Sequence, residues 1–520
     1  MDNVNLKNIL FLVFFYTLLI SCTNNQSRDH ESRPNIIFIM SDDHAYQAIS
    51  AYDSSLVQTP NIDKIANEGI LYQKAFVTNS ICAPSRAVIL TGKFSHLNGV
   101  IDNSSYFDGS QQTVSKILRQ NGYQTAIVGK WHLKSAPTGF NYWNILPGQG
   151  DYYNPDFIKM GKDTVYSGYV TDIITKLSIR FLNTRDKNKP FFLMMHHKAP
   201  HRNWMPAIRH LKERDEDYRL PENFFDNYSG REPIKKGMAL RIDDHMHLNM
   251  DFKLPIETNE VYDNNWFHEE TERSLGRLTD EERLAWNNRY TPQLEKYESV
   301  KNNKEELILW KYSRYLNDYL NCIKAVDESV GQINTWLKEN GLEENTVVIY
   351  TSDQGFFLGE HGFFDKRIMY EEAFRTPLLI KYPRKIKNLS TSEHLVQNLD
   401  IAPTLLDLAD IAIPEDMQGK SLYNTWSSSL ENWREAIYYR YYEKDFLVSP
   451  HYGIRTDRYK LIHFNYGIDS WELYDLVTDP NEMNNLYADP KYEKKVKYLK
   501  NKLIELQHSY RDTSAIVWKN

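Results

Sequence analysis

Cysteine is scarce in this chain, with three residues in 520. Cys22, Cys82 and Cys322 cannot build a disulfide framework, and each needs its own explanation. Charge of one sign is scarce as well. Sixty-two lysines and arginines stand against 69 aspartates and glutamates, for a net charge of −7. Such mild acidity supplies no global field for nucleic acid and excludes it as a partner. An anionic ligand must instead be held by a local cluster of bases. A membrane-spanning run is lacking too. The apolar stretch Ile9–Ile20 holds 12 residues, too few to cross a bilayer as a stable helix. The ordinary content of Gly, Pro and charge excludes collagen-like repeats, coiled coils and disorder. What remains is a globular chain, 41% hydrophobic. It is long enough for two to four domains, or for one large α/β domain with an appendage.

The short apolar run fits the core of a signal peptide. It ends in Leu19-Ile20-Ser21-Cys22, which resembles the lipobox of bacterial lipoproteins. The expectation is a signal peptide over 1–21, lipidation of Cys22 and a polar tether over 22–33. A signal peptide cleaved elsewhere and an uncleaved anchor are the alternatives, and Lys7 is the only positive charge before the run. The mature chain would be an exported lipoprotein, held to the outer membrane through its lipid or facing the periplasm.

Four apolar runs stop abruptly at polar residues. Asn35–Met40 leads into Ser41-Asp42-Asp43, and Thr125–Val128 into Gly129-Lys130-Trp131-His132. Pro190–Met195 leads into His196-His197-Lys198-Ala199-Pro200-His201, and Thr346–Tyr350 into Ser352-Asp353-Gln354-Gly355. Continuous apolar runs of this length read as strands of a parallel sheet buried on both faces. Ligands of such sheets sit beyond the carboxyl ends of the strands. All four ends carry carboxylates, histidines or lysines, which is a site expectation in itself.

Residues 305–338 carry Tyr312, Tyr315, Tyr319, Val326, Val330, Ile333 and Leu337 at helical spacing. Cys322 falls on that stripe and reads as a small buried hydrophobe. Residues 205–300 are charged, rich in Tyr and Asn, and poorly periodic; they read as an elaborated insertion with short helices. A catalytic domain is expected over 34–430. From 431 to 520 the texture changes to short alternating runs, which predict a small antiparallel sheet. An amphipathic helix over 490–508 closes the chain.

The second cysteine lies in Cys82-Ala83-Pro84-Ser85-Arg86, followed by Leu90-Thr91-Gly92. Pro84 is suited to the first turn of a helix, where its missing N–H costs nothing. Cys82 is then placed just before a helix N-terminus, where backbone N–H groups favour an anion. Arg86, one turn on, can add a bidentate grip. This geometry suits sulfate or phosphate esters. The residues by themselves leave a thiolate nucleophile and a structural cysteine both open.

Cys-Ala-Pro-Ser-Arg with Leu-Thr-Gly resembles the maturation motif of the type I sulfatases, in the alkaline-phosphatase superfamily. The segments around Asp42-Asp43, Lys130-Trp131-His132, Ala199-Pro200-His201 and Asp353-Gln354-Gly355 match that family in the same order. The resemblance extends over roughly residues 34–485. It implies a large, mostly parallel α/β sheet sandwiched by helices, with a smaller C-terminal α+β subdomain built on an antiparallel sheet. It also implies that Cys82 is oxidised to formylglycine by a formylglycine-generating or anaerobic sulfatase-maturing enzyme. Asp42, Asp43, Asp353 and Gln354 resemble the ligands of one Ca²⁺, with a hydroxyl of residue 82 also contacting the metal. An all-oxygen set suits Ca²⁺ or Mg²⁺ and not zinc. Many members have Asn where Gln354 stands.

In the family, one hydroxyl of the hydrated aldehyde attacks sulfur, and the other lets the enzyme expel sulfate by elimination. His132 matches the base of that second step. Arg86 and Lys130 match the residues that hold the hydrated aldehyde and the sulfate. His201 and Lys366 match groups that bind sulfate and help protonate the leaving alcohol.

The segments 198–206 and 365–367 resemble bacterial polysaccharide sulfatases. The substrate expected is a sulfated polysaccharide or oligosaccharide, with ulvan favoured and N-acetylglucosamine-6-sulfate of host glycans as the alternative. His361, Arg367, Trp204 and His451 are candidate substrate contacts. An inactive glycan-binding lipoprotein is the reading from another class, and the intact metal and base set argues against it. A phosphodiesterase or phosphonate hydrolase of the same superfamily would need further metal ligands or a Thr or Ser nucleophile, and no such ligands are seen.

Overall fold

Strands rich in β-branched and aromatic residues form the centre of the molecule. The structure is a computed structural model. It describes residues 33–211, 215–255, 265–387, 390–426, 432–444 and 447–513. The signal run and Cys22 lie outside these residues.

The strands of the main sheet, in chain order, begin with β1 (Asn35–Ser41), β2 (Ile70–Tyr72), β3 (Gln124–Lys130), β4 (Tyr142–Leu146) and β5 (Asp156–Lys159). They continue with β6 (Lys162–Val165), β7 (Phe191–His196), β8 (Thr346–Ser352), β9 (Leu378–Lys381) and β10 (Ser390–Ser392). Among the described residues these ten make one sheet in the order β10-β2-β9-β8-β1-β7-β3-β4-β5-β6. The five from β8 to β4 run parallel, and β9, β5 and β6 are antiparallel to their inner neighbours. The four runs legible in the sequence are β8, β1, β7 and β3, which stand side by side at the centre.

The helices used below are α1 (Pro60–Asn67), α2 (Cys82–Thr91), α3 (Val114–Gln120), α4 (Val170–Thr184) and α5 (Asn265–Gly276). After them come α6 (Asp280–Val300), α7 (Lys304–Glu339), α8 (Ile401–Leu408) and α9 (Glu493–Ser509). Ile37 and Ile39 of β1 pack with α1, α4 and α7 on one face. Ile36, Phe38 and Met40 pack with α2, α3 and α8 on the other. Both faces are therefore dry, which is why the strands read as continuous apolar runs rather than alternating ones. The stripe on α7 is buried as its spacing predicts, and Cys322 lies in it fully buried, beside Tyr152 and Tyr169.

The insertion differs from the expectation of short helices, because α6 spans 21 residues. Its apolar stripe is thin: Trp286, Tyr290 and Gln293 are its buried residues, so periodicity gave little signal. A capping box from Thr279 and Glu282 starts it. The C-terminal sheet consists of β11 (Ala436–Tyr441), β12 (His451–Thr456), β13 (Tyr459–Tyr466) and β14 (Ile468–Asp475), a four-stranded antiparallel meander. One of its faces packs on Phe76 and Phe374, and the other on Leu499 and Leu503 of α9. It belongs to the same compact unit as the main sheet, which runs from Pro34 onward.

Candidate active site

Parallel neighbours end at the same edge of a sheet, so the four central strands deliver their polar ends to one place. β1 delivers Asp42 and Asp43, β8 Asp353 and Gln354, β3 Lys130 and His132, and β7 the segment leading to His201. Two motif glycines permit this closeness. A Cβ at Gly129, whose φ is +102°, would lie 1.9 Å from the carbonyl oxygen of His196. A Cβ at Gly355 would lie 2.1 Å from that of Glu372.

Cys82 is the first residue of α2, one position further in than the sequence reading placed it. Ile81 before it is extended and gives no side-chain cap. The cap comes from elsewhere: Ala83 N–H donates to Asn103 Oδ1 at 3.0 Å. Cys82 is fully buried, and its Sγ stands 3.5 Å from Lys366 Nζ and 3.7 Å from Gln354 Nε2. Burial pushes its thiol up to about 12, although Lys130 and Lys366 oppose the shift.

Three carboxylates face three cations around Cys82. Arg86 does not present a free grip to an anion. Its Nε and Nη2 donate to Asp353 Oδ2 at 3.0 and 2.7 Å, and its Nη1 to Lys130 O at 3.0 Å. Lys130 Nζ donates to Asp42 Oδ2 and to Gln149 Oε1. Lys366 Nζ reaches both oxygens of Asp43 at 2.5 Å. Burial works to raise all three acids. Asp42 nevertheless lies well below the usual carboxylate range, because Lys130, His201, Arg86 and Lys366 surround it. Asp353 is pushed up to about 7 by burial and by Asp42 beside it, and Asp43 is raised by burial against the pull of Lys366.

Ligand atoms of Asp42, Asp43 and Asp353 all lie within 4.8 Å of one another. Asp42 Oδ1 and Gln354 Oε1 are buried without a hydrogen-bond partner. Buried acceptors without donors are costly, and a cation removes that cost. Three carboxylates and an amide oxygen form a hard donor set, so these residues fit Ca²⁺ or Mg²⁺.

The histidines divide by partner. His201 Nδ1 donates to the carbonyl of Arg202 at 2.5 Å, and its Nε2 stands 3.7 Å from Asp43 Oδ2. Its own carbonyl accepts from Tyr152 OH at 2.6 Å. His132 Nδ1 is buried without a partner. Burial, helped by Lys130, drives both imidazoles well below their usual value, so both are neutral. Asp43, His132, Asp365 and Arg367 hold positive φ angles of 65°, 54°, 74° and 95°. Left-handed non-glycine residues gather where surrounding structure over-determines a functional geometry.

Three of the candidate substrate contacts are packed against other parts of the protein. Trp204 is fully buried against Tyr315, Phe356 and Phe364, so its faces are closed to a sugar. His361 is fully buried, with Nδ1 2.6 Å from Asp226 Oδ2. His451 is fully buried too; its Nε2 accepts from Met369 N–H at 3.1 Å and its Nδ1 donates to Ser449 O at 2.8 Å. Arg367 follows Lys366 in the chain and pairs with Glu443 at 3.0 Å. His196 Nδ1 meets Lys130 O at 3.0 Å and His197 Nε2 meets Ser329 Oγ at 3.2 Å, while His196 Nε2 and His197 Nδ1 are buried without a partner. Gln149, Asn103 and Tyr152, which hold Lys130, the α2 terminus and His201, had no sequence signal. Each is an ordinary loop residue whose role exists only in three dimensions.

Comparison with known proteins gives the same direction. The profile described as Sulfatase matches residues 34–411, and that described as N-sulphoglucosamine sulphohydrolase, C-terminal, matches residues 359–509. An N-acetylglucosamine-6-O-sulfatase of Bacteroides thetaiotaomicron is 48% identical over 506 residues, covering 95% of this chain and 89% of its own. An ulvan-active sulfatase of Formosa agariphila is 26% identical over 505 residues, covering 93% and 83%. A solved structure in complex with its substrate D-glucosamine-2-N,6-O-disulfate superposes with a TM-score of 0.90 at 47% identity, over 94% of this chain and 100% of that one. A phosphonate monoester hydrolase of Agrobacterium radiobacter, at 20% identity and a TM-score of 0.64, shares the fold alone. Cys82 thus sits, with its acids and bases, inside a frame whose relatives are sulfatases, and the chain belongs to the sulfatase family.

Proposed function

We propose that this sulfatase removes the 6-O-sulfate from glucosamine or N-acetylglucosamine units of glycosaminoglycan-type oligosaccharides. The observation that carries this reading is the 48% identity to an N-acetylglucosamine-6-O-sulfatase along 95% of the chain. It supports that substrate over ulvan, since the ulvan-active relative is 26% identical.

Cys82, matured to formylglycine, supplies a nucleophilic hydroxyl from its hydrated aldehyde. Asp42, Asp43, Asp353 and Gln354 would hold a divalent cation, which when bound would supply Lewis-acid positive charge to the reaction. The chain's own residues do the rest. Lys130 and Arg86, both buried, fix the acids and present cationic charge to the sulfate oxygens. His132, neutral and with a free buried nitrogen, takes a proton from residue 82. Lys366 and His201, which both reach Asp43, serve the leaving sugar oxygen, which needs a proton. Before any metal binds, three carboxylates balance three cations, so a divalent cation leaves the pocket positive and suited to an anionic ester. The partners are a maturing enzyme and a membrane reached through lipidated Cys22, with the protein exported.

The test is sulfate release by matured enzyme from N-acetylglucosamine-6-sulfate, glucosamine-2-N,6-O-disulfate, ulvan oligosaccharides, an aryl sulfate and an aryl phosphate. Turnover of the 6-sulfated amino sugars far above ulvan is expected. Preference for ulvan, or for the phosphate, would sink the proposal.

A further inference from the structure

An ion pair ties the insertion between residues 205 and 300 to the residue that follows His201. Asp251 is fully buried. Its two oxygens accept from Arg202 Nε at 2.7 Å and from Arg202 Nη2 at 2.6 Å. Asp251 Oδ2 also accepts His247 N–H at 2.7 Å, and Asp251 N–H returns to His247 O at 2.9 Å, so the carboxylate sits on a closed turn. The guanidinium lies over two rings, Phe267 of α5 at 5.4 Å and Phe364 at 5.0 Å. A planar fork held on two oxygens between two rings has little freedom left.

Arg202 follows His201 directly, and its carbonyl accepts His201 Nδ1–H at 2.5 Å. A carbonyl can only accept, so it holds a proton on Nδ1. The nitrogen left to exchange protons is Nε2, the one 3.7 Å from Asp43 Oδ2. The carbonyl acts on the ring only if the Arg202 backbone stays in place, and the Asp251 clamp is what fixes the Arg202 side chain. The clamp touches neither the acid cluster nor Cys82.

We propose that Asp251 is a positioning residue for His201: through Arg202 it fixes the tautomer and aim of the imidazole, whose Nε2 takes up a proton from solvent and hands it to the leaving sugar oxygen while Nδ1 keeps its own. The insertion is then part of the catalytic apparatus rather than a decoration. This rests on the reading of His201 given above and deepens it.

Proton delivery matters for a sugar alcohol, which leaves poorly as an alkoxide. It matters little for 4-nitrophenolate, which is stable as an anion. The experiment compares kcat on N-acetylglucosamine-6-sulfate and on 4-nitrophenyl sulfate for matured wild type, His201→Ala, Asp251→Asn and Arg202→Lys, with melting temperature measured for each. Misplacing a catalytic group by about 1 Å can cost roughly 10²-fold. A loss of that order is expected for Asp251→Asn on the sugar, against a change within about threefold on the aryl ester. Arg202→Lys keeps the charge but loses the fork, and it should show the same discrimination; it carries the test if Asp251→Asn does not fold. Equal losses on both esters, or no loss on either, would overturn the proposal while leaving His201 as read. An aryl-to-sugar ratio unchanged in His201→Ala would overturn the reading of His201 and this inference with it.

Discussion

Two regions of this molecule bury dense charge, and only one of them is built as a site. At the carboxyl edge of the central sheet, Asp42, Asp43 and Asp353 converge with Arg86, Lys130 and Lys366. Beneath the C-terminal sheet, Glu371, Glu472 and Glu482 meet Lys460 and Arg455. In the second region cations and hydroxyls lie against most of the acids. Lys460 Nζ lies 2.8 Å from Glu371 and 2.7 Å from Glu482, and Arg455 lies 3.2 Å from Glu371. Tyr370 and Tyr474 donate to Glu472 at 3.0 and 2.8 Å. Burial pushes Glu472 up to about 7, so a proton replaces a missing cation there. At the first region ligand atoms of the three acids lie within 4.8 Å of one another at the edge where the parallel strands end; among the described residues the glutamates of the second region form no such group, although Glu472 Oε1 and Glu482 Oε1 also lack a hydrogen-bond partner. Neither burial of charge nor an unpartnered oxygen is therefore the mark of a site. Convergence of carboxylates at a shared strand edge is the better mark.

That contrast can be broken by substitution. The largest effect belongs to Cys82→Ala, which should lower sulfate release by about 10³-fold or more on every ester while leaving the melting temperature near that of wild type. Next is Asp353→Ala. A drop of roughly 10²–10³-fold in kcat/KM is expected, with bound calcium lost on elemental analysis. Full activity with no bound metal would mean that the converging oxygens serve no cation.

Lys460→Met should do the reverse. It strands Glu371 and Glu482 in the interior, at a cost of about 3–5 kcal/mol in chemical unfolding. The kcat of the folded fraction should stay within about twofold of wild type. A large fall in kcat with stability intact would erase the distinction between the regions.

The smallest effect is one of pH. Glu472 has a folded value of about 7 against an ordinary 4.5. The fold therefore binds the proton more tightly than the unfolded chain does. This contribution is fully present below pH 4.5 and is lost as pH rises to about 7. Glu472→Gln stays neutral and can still accept from both tyrosines. Its melting temperature should fall less than that of wild type between pH 5 and 8; an identical slope would show that no proton reconciles the second region.

The comparison also explains what was legible in the sequence. Strands covered on both faces write themselves as apolar runs, and a catalytic edge writes itself as the polar residues that end them. Asp42, Lys130, His201 and Asp353 were readable for that reason. The pentapeptide at Cys82 named the chemistry by resemblance. Helix α7 was readable from a stripe buried along most of its length. Helix α6 was not, because three buried residues in 21 make no period. Trp204, His361 and His451 are packed against protein neighbours, which residue type and neighbourhood in the chain do not show. The Asp251 clamp was invisible for the same reason: an aspartate in a charged insertion reads as solvated until its arginine is seen.

The most direct measurement is the mass of the tryptic peptide containing residue 82, taken from the same preparation whose sulfate release from N-acetylglucosamine-6-sulfate has been measured. An aldehyde in place of the thiol, in proportion to activity across preparations, is the result expected. Full activity in protein whose residue 82 is an unmodified cysteine would contradict the account.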